Sequence, residues 1–450
     1  MRLEHSQHDQ ISVQCFEIIR QSLDSPEFQA RHRARPQDFT RQRALGFGVV
    51  LMLLLQKTVR SAQLHLHEFF QALGRTLGRV TASAWTQARR KFRHAAFIEL
   101  NQKAVLEVVY GPENSPAVRR WRGHRLLALD SSLICLPETE AMGQEFGWVE
   151  GRNQKGRWGR HVQGRLSVLY DVLNRIAVHT LLLDPRVVER VAAEEHLTQA
   201  ADGDVVLLDR GYAGYPLWAR FLAARQHFIC RCARSSFQTA KDLFAQDRAG
   251  VSVTVTLTPC KGSAQAVAQG GLSETVTVRF VTVRLSTGAL EVLATSLVDE
   301  TQYPTELFGQ AYRHRWGIET YYALLKGRLD LENFSGRSPE AVRQDVYATV
   351  LLSNLETMLS EPGPRPMDPA QTGSAARARQ INRAVSFHAI KTHLLDLLLS
   401  PKPLEEIMAQ MRTLFNGAPV CKRPERKPPR QKTSAWRSYR FQRYLRKGTF

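Results

Sequence analysis

The sequence predicts an α/β protein in which helices flank a mixed β-sheet, a β-rich insertion interrupts it, and helical regions lie at both ends. Three observations favour this class. Between residues 119 and 232, short apolar segments alternate with amphipathic segments of helical period. Residues 233–300 then alternate strictly and are rich in Val and Thr, as antiparallel strands are. Apolar residues recur at helical spacing before residue 112 and after residue 301.

The overall charge favours an acidic partner. The chain has 450 residues, with 62 Lys and Arg against 42 Asp and Glu, a net charge of +20. This excess favours nucleic acid, ahead of an anionic membrane surface. The longest apolar run, at residues 45–55, is too short to span a bilayer, and the N-terminus lacks the pattern of a signal peptide. We therefore expect a cytoplasmic protein without membrane contact.

Residues 1–112 are predicted to form a helical, DNA-binding N-terminal domain. Thr81 or Ser83 can cap a helix that carries Arg89 and Arg90. This Arg-rich helix is consistent with the reading element of a helix-turn-helix. A basic, solvated face on a small helical bundle explains the same residues equally well.

The segment 119–232 is predicted to hold the first part of the central sheet, in the order strand, strand, strand, helix, strand, helix, strand. Two of its apolar strands end in aspartate, LLALD at Asp130 and VVLLD at Asp209. The segment also contains a polar, Gly-punctuated stretch with Arg157 and Arg160. This stretch suits a loop that contacts phosphates, and a solvated hairpin tip is the alternative.

The remaining segments are assigned by composition and period. Residues 233–300 form the β-rich insertion, and residues 301–360 complete, with two helices, the α/β domain that begins at residue 119. A Pro-rich stretch then leads into a helical C-terminal region at 361–420, for which we expect two helices. The tail at 421–450 is rich in Lys and Arg, and we expect it to be disordered and to contact phosphates non-specifically.

One helix in the 301–360 segment carries an unusual set of side chains. Tyr312, Arg315, Glu319 and Lys326 lie at offsets of three, seven and fourteen residues. On a continuous α-helix they would share an arc of about 60°. A carboxylate between cations on one face suits contact with a polyanion near a metal. A surface helix with ordinary ion pairs is the alternative.

The three acidic residues form a plausible metal site. If the strands ending in Asp130 and Asp209 are neighbours, their carboxylates meet and repel, and a divalent cation removes this conflict. Hard oxygen ligands favour Mg²⁺ or Mn²⁺. With Glu319 added, three carboxylates suit two ions, which can activate a nucleophile and stabilise the leaving oxygen of a phosphodiester.

These residues resemble a known family. The spacing from Tyr312 to Lys326, in the context RWGIE, is similar to the YREK signature of DDE transposases of bacterial insertion sequences, the insertion-sequence-four family. DRGY, from Asp209, resembles the family's second-aspartate motif, and LALDSS, around Asp130, resembles its first. The β-rich stretch lies where that family carries an insertion. The resemblance covers about residues 119–355.

The resemblance implies an RNase H-like fold whose mixed, five-stranded sheet has the strand order 3-2-1-4-5. It also implies Mg²⁺-dependent cleavage of double-stranded DNA at transposon ends and joining of the freed 3′ hydroxyl to target DNA. A homodimer would bring two ends together, in a cytoplasmic, nucleoid-associated protein. The acids Asp130, Asp209 and Glu319 would be catalytic and bind metal. The expected DNA contacts are Tyr312, Arg315, Lys326, Arg210, Tyr212, Arg157, Arg160, Arg89 and Arg90.

The chain departs from the family at one point, and two other functions stay open. Some relatives use a Trp of the insertion to stabilise a flipped base, but no Trp occurs between Trp218 and Trp316. Phe237, Phe244 and Phe280 are the aromatic alternatives. A related nuclease or resolvase without strand transfer would need the same acids. A non-catalytic DNA-binding derivative would have less reason to keep all three.

Overall fold

The computed structural model describes residues 2–58, 61–74, 80–152, 158–360 and 379–421. Arg157, the Pro-rich stretch before residue 379 and the basic tail after residue 421 lie outside these ranges. Within them, the helices are α1 (Arg2–Asp24), α2 (Pro26–His32), α3 (Phe47–Leu55), α4 (Ala62–Ala72), α5 (Ala82–Arg89), α6 (Ala95–Leu100), α7 (Glu107–Tyr110), α8 (Glu140–Phe146), α9 (Glu189–Leu197), α10 (Tyr215–Ala223), α11 (Gln238–Gln246), α12 (Lys261–Gln269), α13 (Glu306–Arg313), α14 (Trp316–Ala323), α15 (Pro339–Ser360), α16 (Arg383–Thr392), α17 (Leu394–Leu399) and α18 (Leu404–Gly417).

The strands of the described chain are fewer than the helices. They are β1 (Leu126–Leu136), β2 (Trp148–Arg152), β3 (Trp158–Asp171), β4 (Ile176–Leu183), β5 (Val205–Leu208), β6 (His227–Cys232), β7 (Ser252–Leu257), β8 (Val276–Arg284), β9 (Leu290–Thr295), β10 (Arg379–Gln380) and β11 (Val420–Cys421). Short π-helical turns occur at Asn101–Leu106 and Leu324–Arg328, and 3₁₀ turns at Ser115–Ala117 and Arg210–Tyr212.

The chain divides into two compact units that are interleaved in sequence. The first comprises the described residues of Met1–Val118, Cys135–Gln163 and Leu325–Phe450. The second comprises Arg119–Ile134 and Gly164–Leu324. Strands β1 and β3 each contribute residues to both units.

The first unit is built around α15. This helix is buried along most of its length and packs against α1, α3, α6, α16 and α18. Helix α3 is apolar in eight of its nine residues because it is buried in the same bundle. The side chain of Thr81 accepts a hydrogen bond from the N–H of Ala84, so Thr81 and not Ser83 caps α5. The predicted helical ends are confirmed, with three C-terminal helices in the described part of that region, residues 379–421, where two were expected.

The main sheet has nine strands among the described residues. Its order is β4-β3-β1-β5-β6-β9-β8-β7, and β2 pairs with residues 158–162 of β3. The described parts of the basic stretch therefore form paired strands, and the residues between them lie outside the described ranges. If β2 is left out, the first five strands follow the predicted order 3-2-1-4-5, with β1 and β5 parallel. The α/β class and the mixed sheet are confirmed.

The β-rich insertion extends this sheet. Its strand β9 pairs antiparallel with β6, and β8 and β7 follow outward. Two helices of the insertion, α11 before β7 and α12 between β7 and β8, were not predicted from the alternating pattern. No helix in the described ranges is both long and apolar enough to cross a membrane.

Candidate active site

Asp130 and Asp209 lie at neighbouring positions on adjacent strands. Asp209 directly follows β5, whereas β1 continues past Asp130 to Leu136, so the predicted strand end at Asp130 is wrong. Strands β1 and β5 are parallel with Leu129 opposite Leu208, so Asp130 and Asp209 are the next residues on each strand. The pKa of Asp130 is raised to about 6, chiefly by burial; the N–H of Ser131 and the charge of Arg315 lower it, and the nearby charges of Asp209 and Glu189 raise it. The sequence prediction that these strands are neighbours is confirmed.

Asp209 carries an unsatisfied oxygen. Its Oδ1 atom is buried and accepts no hydrogen bond from the described residues. A buried polar atom without a partner is costly and uncommon in folded proteins. This oxygen is therefore free to bind an external group, such as a cation.

The predicted signature helix is interrupted. Helix α13 ends at Arg313, α14 begins at Trp316, and the N–H groups of His314, Arg315, Gly317 and Ile318 bond to the carbonyl three residues back. Because this 3₁₀-type turn changes the rotation per residue, the expected arc of about 60° does not apply. Lys326 then lies in the π-helical turn Leu324–Arg328.

Arg315 brings two of the acids together. Its Nη2 atom lies 2.6 Å from Oε1 of Glu319, and its Nη1 atom lies 3.7 Å from Oδ2 of Asp130. The residue is only 7% exposed. In this structure its guanidinium contacts the protein's own carboxylates, where the sequence predicted a phosphate contact.

Two tyrosine hydroxyls attach the interrupted helix to the aspartate strands. Tyr312, 8% exposed, donates a hydrogen bond to the carbonyl of Leu208, directly before Asp209, at 3.2 Å. Tyr322 donates to the carbonyls of Asp130 at 2.8 Å and Leu166 at 3.0 Å. Sequence reasoning missed Tyr322, although it lies one helical turn after Glu319, within α14, where it faces the same strands.

The other expected DNA contacts differ in exposure. Arg90, Arg160 and Arg210 are exposed, and Arg160 lies over the ring of Trp148 at 4.0 Å. Lys326 is half-buried, and burial lowers its pKa. Tyr212 is 1% exposed.

Arg89 is placed differently from the expectation of a DNA contact. Its guanidinium is buried in the first unit and donates to Gln344, Ser335, the carbonyl of Ala341 and Asp345, at 2.6–2.7 Å. These bonds connect α5 to α15 and the turn before it. Arg89 thus serves the packing of the helical bundle.

The aromatic candidates for base stacking are mostly part of the core. Phe280 is fully buried, and Phe237 stacks on Trp218 with ring centroids 4.7 Å apart. Phe244 lies under the guanidinium of Arg234 at 5.1 Å. The structure thus selects none of the three.

The acids fit a hard cation by their chemistry. Three carboxylates with a buried, unpaired oxygen on Asp209 are donors that Mg²⁺ and Mn²⁺ prefer. In the part of the chain that the structure describes, no three His, Cys, Asp or Glu side chains are already grouped closely enough to hold a metal. In the structure, two of these carboxylates, those of Asp130 and Glu319, form ion pairs with Arg315.

Comparisons with known proteins identify a family and relatives. A family model described as "Transposase DDE domain" matches residues 121–355, more than half of the chain, and this range contains all three acids. The transposase InsG for insertion sequence element IS4 of Escherichia coli (strain K12) is 25% identical over 282 residues, which are 61% of this chain and 60% of InsG. The chain therefore matches about three fifths of that relative's length. A cryo-EM structure of the piggyBac transposase synaptic complex with hairpin DNA aligns with a TM-score of 0.41 and 10% identity, over 94% of this chain and 88% of that chain.

Proposed function

The chain belongs to the family of transposases with a DDE domain, and from this premise we propose that it cleaves DNA at the ends of a mobile element and joins the freed 3′ hydroxyl to target DNA. One observation carries the proposal. Asp130 and Asp209 directly follow the paired residues Leu129 and Leu208 of neighbouring parallel strands, and Arg315 links Asp130 to Glu319.

Members of this family generally use divalent metal ions. Here Asp130, Asp209 and Glu319 are the residues that would hold Mg²⁺ or Mn²⁺, with two ions as the proposed number. When bound, the ions would activate the attacking oxygen and stabilise the leaving oxygen of the phosphodiester.

The chain's own residues would orient these carboxylates. Arg315 holds Glu319 by a charge-assisted hydrogen bond and partly neutralises Asp130. The hydroxyls of Tyr312 and Tyr322 keep the helical segment against the strands that carry the aspartates. When DNA binds, the two cations of the signature, Arg315 and Lys326, would offset the negative charge that develops during phosphoryl transfer.

Exposed arginines outside the group of three acids would contribute to DNA binding. Arg90, Arg160 and Arg210 are exposed and can neutralise phosphates, which contributes affinity without sequence choice. Cleavage at two transposon ends implies a homodimer in the synaptic complex. Such a protein would act on the nucleoid in the bacterial cytoplasm.

The first test replaces the helical acid. We expect full-length protein with Mg²⁺ to nick a plasmid that carries the element's terminal repeats, and Glu319→Gln to abolish nicking while DNA affinity is retained. Glu306→Gln is the matched control because Glu306 is exposed in the first turn of α13. Nicking by Glu319→Gln at the wild-type rate would remove Glu319 from the site.

A second assay separates transposition from simple hydrolysis. Pre-cleaved ends with free 3′ hydroxyls are mixed with a target plasmid, Mg²⁺ and wild-type protein. Joined products support a transposase, whereas nicking without joining identifies a nuclease or resolvase. A protein that binds the ends but neither nicks nor joins would be a non-catalytic derivative.

A further inference from the structure

The first turn of α9 contacts the segment that carries Asp130. Oε1 of Glu189 accepts hydrogen bonds from Oγ of Ser131 at 2.5 Å and from Nη1 of Arg165 at 2.5 Å. The N–H of Ser131 in turn donates to Oδ1 of Asp130 at 2.8 Å. Ser131 is therefore bonded on one side to the catalytic carboxylate and on the other to α9.

The next residue of the same turn contacts the segment that carries Asp209. Arg190 donates from Nε to the carbonyl of Gly211 at 3.2 Å and from Nη2 to the carbonyl of Ala213 at 2.9 Å. Both carbonyls belong to the short turn that follows Asp209. A Cβ atom at Gly214 would lie 3.2 Å from Nη1 of Arg190, so the glycine there leaves room for the guanidinium.

The turn of α9 is itself attached to the sheet. Arg165, on β3, also donates from Nη1 to Ser131 at 2.9 Å and from Nη2 to the carbonyl of Pro185 at 3.0 Å. Pro185 lies in the loop that leads into α9. The helix start, β1 and β3 are thus joined by one guanidinium.

We propose that the first turn of α9 is a positioning element for the candidate active site. Glu189, acting through Ser131, fixes the backbone and carboxylate of Asp130, and Arg190 fixes the turn after Asp209. Two consecutive residues thereby set the relation between the two aspartates. This role rests on the proposed function, because it concerns how those carboxylates are presented to a divalent cation. Residues that orient metal ligands typically affect metal affinity by about 10–100-fold.

Two variants that preserve net charge test the two arms separately. Ser131→Ala removes only the hydroxyl, which donates to Glu189 and accepts from Arg165. Arg190→Lys keeps a cation but loses the planar fork that reaches two carbonyls. The matched controls are Ser286→Ala, at an exposed position in the turn between β8 and β9, and Arg220→Lys, on α10, whose Nε atom pairs at 2.8 Å with Glu194 of α9.

The readouts are Mn²⁺ affinity by titration calorimetry, hydrogen–deuterium exchange of peptides spanning residues 204–216, and urea unfolding, all on the full chain. We expect Ser131→Ala and Arg190→Lys each to weaken Mn²⁺ binding about tenfold or more, with unfolding midpoints like those of the controls. Arg190→Lys should also speed exchange in the turn after Asp209. Because the two arms use separate bonds, loss of folding in one variant leaves the other to decide.

The outcomes distinguish this role from the proposed function. Mn²⁺ uptake that is equal in wild type and both variants would overturn the positioning role alone. Wild-type protein that takes up no Mn²⁺ would count against the metal-dependent function itself. Unchanged exchange in Arg190→Lys would overturn its assignment to the Asp209 turn.

Discussion

Arg315, a cation of the signature, forms ion pairs with the protein's own carboxylates in the absence of DNA. Its guanidinium lies between Glu319 and Asp130, which belong to α14 and β1. A buried guanidinium with two carboxylates is well compensated, whereas either carboxylate alone would carry uncompensated charge. Arg315 thereby holds two of the proposed metal ligands in a defined relation.

This contact predicts the effect of a conservative change. In Arg315→Lys the compact ammonium cannot reach both carboxylates with the planar geometry of a guanidinium. We expect single-turnover nicking to fall about 10–100-fold, as for other residues that orient ligands. Arg313→Lys, at an exposed position two residues earlier, is the control. Equal rates in the two variants would show that Arg315 does not orient the acids.

The tyrosine hydroxyls give a stability prediction of their own. Tyr322→Phe leaves two buried carbonyls without their partner, and we expect a loss of about 1–3 kcal/mol in the free energy of unfolding. Tyr312→Phe removes one bond and should cost less. Urea unfolding of both variants provides the comparison, and a larger loss in Tyr312→Phe would contradict this ranking.

At the scale of elements, α9 is connected to the sheet at both ends. Its first turn holds the aspartate segments, and near its last turn His196 contacts two strands. Nε2 of His196 lies 2.9 Å from Oγ of Ser167 on β3, and its Nδ1 atom lies 3.0 Å from Nδ1 of His179 on β4. One ring must donate and the other accept across that short distance, so both imidazoles fit best when neutral.

The histidine pair predicts a dependence of stability on pH. Burial lowers the pKa of His179 to about 4 and lowers that of His196 as well. Between pH 6.5 and about 4 the unfolded chain binds protons that the folded chain excludes, so stability is fully present above pH 6.5 and falls as pH is lowered. The free energy of unfolding, measured in urea from pH 7 to 4.5, should fall less steeply in His179→Gln than in wild type. Parallel slopes would contradict the prediction.

The structure of the strands followed from sequence patterns, and the structure of the signature helix did not. The apolar runs before Asp130 and Asp209 are typical of buried strands of a parallel sheet. These runs therefore predict that the two aspartates lie on the central sheet. The break at Arg315 has no such local pattern. It depends on the bonds of Arg315 and Tyr312 with β1 and β5, and no periodicity encodes these.

At the scale of the whole molecule, sequence reasoning was limited by distance along the chain. Tyr322 meets Asp130 across 192 residues, and Glu189 meets Ser131 across 58 residues. A single sequence does not indicate which distant residues are in contact, so the roles of Tyr322 and Glu189 were missed. Glu319 was identified because its signature is a local spacing. The linear domain boundaries stay a prediction, since the compact units interleave three chain segments with two others.

Arg89 is the residue at which composition misled most, and it supplies the last prediction. It lies beside Arg90 in a basic sequence, yet it is 4% exposed and pairs with Asp345, which is fully buried. Removing one partner of a buried pair leaves an uncompensated charge, so Arg89→Met should lower the free energy of unfolding by about 3–5 kcal/mol.

Arg90→Met is the matched variant, because Arg90 is exposed one residue further along. We expect its unfolding free energy to stay within about 0.5 kcal/mol of wild type. If Arg90 contacts a phosphate, its loss should weaken DNA binding and reduce the slope of log affinity against log salt by about 1. Urea unfolding and DNA titrations at several salt concentrations measure both effects. A stable Arg89→Met protein with weakened DNA binding would reverse the two assignments, since a guanidinium that holds α5 against α15 cannot be removed without loss of stability.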